Sequence, residues 1–137
     1  MSTQKPRIHG IGGLFFKSRD PKALSNWHAE QLGMPVQDWG GAVLPWRRSD
    51  TGGPACSVWS PFKEDTTYFE PGTSNFMLNL RVDDLDAMLA ALREGGCRVL
   101  DRREDSEQGR FGYVLDPEDN LIELWQPAPD CDAAAQG

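Results

Sequence analysis

Two hydrophobic periodicities alternate along this chain, and they do so twice. From Ile8 to Lys17 apolar residues occupy both alternating faces, with Ile11, Gly13 and Phe15 on one and Leu14 and Phe16 on the other, which predicts a strand covered on both sides. Asp20-Pro21 then supplies an N-cap acceptor followed by a first-turn proline. Leu24, Trp27, His28, Gln31 and Leu32 fall at helical spacing, and Gly33 ends the helix. Residues 36 to 62 are strand-like, broken by turn signals at Gly40-Gly41 and at 49–54. They predict strands near Val36–Trp39, Ala42–Arg47 and Ala55–Ser60. Lys63 to Ser74 is polar, with Pro71 and Gly72, and reads as a linker.

The pattern then restarts. Phe76, Leu78, Leu80 and Val82 alternate with Met77, Asn79 and Arg81 along a strand from Asn75 to Val82. Asp83-Asp84 precedes a helix whose Leu85, Met88, Leu89 and Leu92 form an i, i+3, i+4, i+7 stripe, and Gly95-Gly96 ends it. Three strands are expected near Arg98–Arg103, Gly109–Leu115 and Leu121–Gln126, with 116–120 as the turn between the last two. The unit β-α-β-β-β therefore occurs twice. Superposing the units sets Gly13 on Met77, Lys17 on Arg81, Leu24 on Met88 and Trp27 on Ala91.

The alternation has a functional consequence. If the second helix packs on Phe76, Leu78 and Leu80, then Met77, Asn79 and Arg81 point to the opposite, inner face. Superposition puts Ile11, Gly13, Phe15 and Lys17 on that face as well. Two such sheets curving together enclose a cavity with the helices outside. The fold class expected is α+β, with two β-α-β-β-β modules forming a curved mixed sheet around a small-molecule cavity. The domain expected spans 7–127, with modules at about 7–62 and 75–127, a linker at about 63–74, and a disordered tail over 128–137.

Composition narrows the chemistry. The chain has 137 residues, 39% hydrophobic and 26% charged, as a globular domain requires. The net charge of -7 disfavours a nucleic-acid partner. No apolar stretch is long enough for a membrane span or a leader. The three cysteines, Cys56, Cys97 and Cys131, form no close pair, which points to reduced thiols and a cytoplasmic protein. Only two histidines are present, so a histidine-built metal site has almost no material.

Three segments carry a family resemblance. They are Asp20-Pro21 through Leu24 and Trp27 to Leu32-Gly33, the equivalent run from Val82-Asp83-Asp84 to Gly95-Gly96, and Phe111-Gly112-Tyr113 through Leu115-Asp116-Pro117-Glu118-Asp119-Asn120 to Ile122-Glu123-Leu124. Together with the repeat, they resemble the vicinal-oxygen-chelate superfamily, which groups glyoxalase I, bleomycin-resistance proteins, extradiol dioxygenases and fosfomycin-resistance enzymes. Asp119 stands where that family has glycine in the turn, and Asp tolerates a left-handed backbone better than most residues. The family also implies a homodimer. Whether the modules pair within one chain or between chains is left open by the pattern.

The resemblance implies four metal-ligand positions, which fall on Gly13, Ser57, Met77 and Glu123. Glycine has no donor, a thioether suits copper(I) rather than harder divalent ions, and a neutral serine is a poor ligand. Glu123 alone cannot hold an ion that needs three or four protein ligands. His9 lies four strand residues before Gly13, ~13 Å away, and His28 is on the helix side. No metal and no cofactor is therefore expected. Glu123 reads either as a base or hydrogen-bond acceptor, or as a fold feature satisfied by Arg81 or Asn79.

The aromatic residues supply the positive signal. Phe15, Trp59 and Trp125 are expected to wall the cavity with Met77, Asn79 and Arg81. Trp27 is assigned to the helix core, Cys56 to the outward face, and Trp39 and Trp46 to neither. Arg81 and Lys17, related by the repeat, are candidate anion receivers. The expected function is binding of a small organic molecule without a divalent metal. The alternative is an enzyme of lyase, isomerase or dioxygenase type, with Glu123 as base or remaining metal ligand.

Overall fold

The computed structural model describes residues 5–129. Residues 130–137, with Cys131 and most of the expected tail, lie outside the described residues. The elements run β1 (Ile8–Ser18), α1 (Pro21–Leu32), β2 (Ala42–Arg47), β3 (Pro54–Lys63), β4 (Phe76–Val82), α2 (Leu85–Glu94), β5 (Arg98–Ser106), β6 (Gly109–Leu115) and β7 (Leu121–Pro127). The strands form one mixed sheet in the order β2-β3-β1-β4-β7-β6-β5. Each module pairs its first strand in parallel with its last, β1 with β3 and β4 with β7. The two modules meet along the antiparallel pair β1 and β4 of the same chain. Gly13 pairs with Asn79 and Phe15 with Met77 there, the reciprocal pairs that a two-fold relation between Gly13 and Met77 demands.

Local signals explain the helices. Asp20 Oδ1 accepts from the Ala23 N–H at 3.1 Å, and Asp84 Oδ1 from the Ala87 N–H at 3.0 Å. Gly33 closes α1 at φ +66°, a conformation that costs glycine little. The turn after β6 places Asp119 at φ +64°, with Arg98 Nη2 at 2.6 Å from its carboxylate. On α2 the expected stripe is buried, as Leu85, Met88 and Leu89 join Val82, Val114 and Leu124 in the outer core.

The first module departs from its pattern in three places. Val36 makes only an isolated bridge to Ala42, so the strand expected at Val36–Trp39 is absent. Trp27 is 52% exposed, because α1 turns Ser25 and His28 to the sheet instead. Ser25 Oγ donates to the Gly40 carbonyl at 2.7 Å, and the His28 ring lies 4.5 Å from that of Trp59. The third departure is register. Irregularities between Ile8 and Gly10, and between Ile11 and Gly13, each insert one residue into β1 against β4. A single inserted residue reverses the parity of everything before it. Ile11, expected on the inner face, pairs instead with Leu80 on the outer face and is 56% exposed. Among the described residues no helix is long and apolar enough to cross a membrane.

Candidate functional site

The inner face of the sheet bounds a cavity of about 580 Å³. Its floor is a row of paired positions. Asn79 on β4 pairs with Glu123 on β7, which pairs with Tyr113 on β6. Directly paired residues share a face, so the three side chains meet. Asn79 Nδ2 donates to Glu123 Oε1 at 2.7 Å, and the Tyr113 hydroxyl donates to Oε2 at 2.7 Å. Tyr68, from the β3–β4 connection, donates a second hydroxyl to Oε2 at 2.9 Å.

Glu123 is 2% exposed. Burial pushes its carboxyl above the ordinary carboxylate value, and the bonds from Tyr113, Asn79 and Tyr68 oppose that rise only in part. Burial, then the nearby carboxylate, also raises both phenols, so each holds its proton at neutral pH. Arg102 closes this group from the β5 side. Its guanidinium lies 4.5 Å from the Tyr68 ring centroid and 4.1 Å from that of Tyr113, and it donates to the Tyr68 carbonyl at 3.1 Å.

The walls are aromatic. Phe15, Phe62, Phe111, Trp39 and Trp125 line the cavity with Val43, Cys56 and Val58. Trp125 stacks on Phe111 at 6.0 Å and 3°, and its indole N–H donates to the Gln108 carbonyl at 2.9 Å. Gly12 also lines the cavity, next to Asn79. A Cβ there would stand 2.1 Å from Asn79 Oδ1.

Phe15, Asn79, Glu123 and Trp125, all named from the sequence, are thus brought together. Four others are placed elsewhere. Met77 is fully buried with Phe69, Tyr113 and Leu121 and does not line the cavity. Arg81 is 1% exposed, its guanidinium between the rings of Trp46 and Trp125 at 5.4 and 5.1 Å, with Nη1 donating to the Cys56 carbonyl at 3.1 Å. It is a packed cation, whereas a strand-end charge open to a ligand was expected. Lys17 borders a separate depression with Ser18, Arg19, Glu64 and Asn75. Trp59 faces α1, packed on His28 and on Phe16 at 5.4 Å. Cys56, expected to face outward, lines the cavity. Both reversals on β3 have one cause. Helix and cavity cover its two faces, so apolar residues occupy both parities and alternation cannot choose between them. Trp59→Leu is therefore expected to cost about 1–2 kcal/mol of stability. Titration of a ligand into the folded variant should show affinity within about twofold of the native protein.

Sequence reasoning passed over Tyr68, Tyr113, Phe62 and Phe111. Tyr113 and Phe111 were accessible from alternation, since Gly112 and Val114 occupy the other face of β6. The adjacent aromatic pair Tyr68-Phe69 was a signal inside a stretch that otherwise reads as linker.

The metal positions that the resemblance implied fail a test of fit. Gly13 has no side chain, and Met77 is enclosed by apolar groups. Ser57 Oγ accepts from the Trp46 indole at 2.7 Å and donates to the Ile11 carbonyl. Moreover, Ser60 pairs with Phe15 as Glu123 pairs with Asn79, so Ser60 rather than Ser57 is the module counterpart of Glu123. Among the described residues no group of three or more His, Cys, Asp or Glu could hold a metal ion. These donors do not fit a divalent cation.

Comparison with known proteins agrees with this fold. No curated protein matches the chain by sequence. Methylmalonyl-CoA epimerase from Mycobacterium tuberculosis is similar over 97% of this chain and 96% of its own, at 22% identity and a TM-score of 0.57. A Streptomyces coelicolor methylmalonyl-CoA epimerase variant, in complex with 2-nitronate-propionyl-CoA, matches 90% of this chain and 97% of its own at 21% identity and a TM-score of 0.62. A glyoxalase/bleomycin resistance protein/dioxygenase superfamily member from Vibrio splendidus 12B01 matches 88% and 97% at 12% identity and a TM-score of 0.52. At these identities the likeness is one of fold. The model of the glyoxalase-like domain family matches residues 13–125, nearly the whole described chain, and with the paired modules about the β1–β4 seam it shows that this chain belongs to the glyoxalase-like domain family.

Proposed function

We propose that this protein binds a small organic molecule in the inner-face cavity without a divalent metal. The observation that carries this reading is the buried Glu123 carboxyl, set with Asn79 and Tyr68 at the floor of a cavity of about 580 Å³ with aromatic walls. That size and lining suit a planar or amphipathic organic ligand, with the walls supplying burial and the floor supplying orientation. Native mass spectrometry and elemental analysis of the purified protein test it. The expected result is an organic occupant, or stoichiometric binding of an added arene by calorimetry, with no stoichiometric metal. Stoichiometric zinc, nickel, iron or manganese would overturn it.

The same carboxyl supports a second reading, proton transfer by an isomerase- or lyase-type enzyme. A carboxyl at the cavity floor is suited to taking up a proton from a bound carbon acid, and once it is protonated the hydroxyl of Tyr68, which lines the cavity, is released from Oε2 to donate to a developing oxyanion. Carbon–deuterium exchange into a bound ketone or thioester in heavy water, lost in Glu123→Gln, would select this reading. Absence of exchange leaves the binder.

The raised carboxyl also predicts a pH dependence of stability. Its pKa in the fold lies above its unfolded value, so the contribution to stability is complete below the unfolded value and is lost as pH rises through the folded one. Glu123→Gln cannot ionise. Its melting temperature relative to the native protein should rise as pH increases from about 4 to 8. A constant difference across that range would show that Glu123 ionises in the fold as it does in the unfolded chain.

A further inference from the structure

Resting on the reading of the cavity as a binding site, we infer that its ligand is a planar aromatic cation carrying N–H donors, such as an arylamidine or a protonated amino-heteroarene. Carboxylate and phosphate groups are excluded from the cavity floor.

Three observations converge on this class. The charged side chains lining the cavity are Glu104 and Glu123, and no Lys, Arg or His is among the lining residues. The two arginines nearest to it are committed elsewhere. Arg81 lies behind Trp125, and Arg102 lies over the two tyrosine rings and pairs with Glu104 at 3.2 Å. An anion entering here would lose its water beside Glu123 with no cation to replace it, which is prohibitive.

The second observation is Asn79. Its amide orientation follows from chemistry, because the group facing Glu123 Oε1 at 2.7 Å must be the donor Nδ2. Oδ1 is then left as a buried acceptor with no hydrogen-bond partner, on a residue that is 1% exposed and lines the cavity. Buried polar atoms without partners are uncommon and costly. A ligand N–H directed at this oxygen removes the cost, and a second N–H of the same planar fork reaches the remaining lone pair of Glu123 Oε1.

The third is the wall. Phe15, Phe62 and Phe111 line the lumen, and an aromatic wall favours a cation over a neutral ring of equal size.

Calorimetric titration of the full chain with four probes of one shape tests the inference: naphthamidine, naphthyltrimethylammonium, naphthylmethanol and naphthoate. Naphthamidine is expected to bind about tenfold or more tighter than naphthylmethanol. Naphthyltrimethylammonium, a cation without N–H, should fall between them, and naphthoate should give no binding. In Glu123→Gln the advantage of naphthamidine should vanish while naphthylmethanol binding persists. If that variant does not fold, the probe series on the native protein still decides. Equal affinity for naphthylmethanol and naphthamidine, or binding of naphthoate or acetyl-CoA as tightly as naphthamidine, would overturn the ligand class and leave the cavity reading standing. No binding by any of the arenes would overturn both.

Discussion

Gly12→Ala is expected to abolish ligand binding and to lower stability by about 2–4 kcal/mol. The added Cβ would stand 2.1 Å from Asn79 Oδ1, 2.9 Å from Arg81 Cγ and 2.9 Å from Trp125 Cε3. None of these atoms yields cheaply. Asn79 is tied to Glu123, the Arg81 stem ends in a guanidinium between two indoles, and Trp125 is fixed by Phe111 and the Gln108 carbonyl. The smallest adjustment swings Asn79 away from Glu123. That breaks a buried hydrogen bond to a carboxyl and removes the floor of the cavity in one step. Calorimetry for binding and denaturant unfolding for stability check both effects. A variant that binds and unfolds like the native protein would show that the Gly12 backbone can move aside.

Arg81→Ala carries the second large effect, a loss of about 3–5 kcal/mol. The truncation opens a void between Trp46 and Trp125, removes two cation–π contacts and removes the hydrogen bond from Nη1 to the Cys56 carbonyl. Because Trp125 is also a wall of the cavity, binding should weaken in parallel. Arg81→Met separates the contributions. It retains most of the stem packing and discards the charge, so it should recover the larger part of the stability. If Arg81→Met is as damaging as Arg81→Ala, the guanidinium itself holds the two indoles together. If both variants are as stable as the native chain, the sandwich contributes nothing measurable. Urea unfolding, with Trp fluorescence as the probe, distinguishes these results.

The second module was far more legible in sequence than the first, for a physical reason. α2 has one buried stripe over a sheet face whose other side is the cavity, so its apolar periodicity carries an unambiguous direction. From that direction the inward position of Asn79 followed, and the family resemblance supplied that of Glu123. β3 is covered on both sides, and Cys56, Val58, Trp59 and Phe62 read equally well in either register. On β1 the error was different in kind. The alternation was correct locally around Phe15, and the inserted residues beyond it inverted Ile11. No hydrophobic pattern announces such an insertion, although the triplet Gly10, Gly12, Gly13 marks a backbone with little side-chain volume.

The sequence by itself determined the two repeated units, the helix caps at Asp20 and Asp84 and the inward position of Asn79. These depend on neighbours a few residues apart and on periodicity, which the linear chain carries in full. The tertiary structure alone decided what Glu123 meets. Tyr68 arrives from a connection 55 residues earlier in the chain, Asn79 from across the parallel β4–β7 pair, and Gly12 leaves the space they occupy. It also turned Arg81 from a candidate anion receiver into the filling between two tryptophans. Those relations exist only once the sheet has curved, because contacts across a sheet depend on register and twist, and neither is written in the order of residues along a strand.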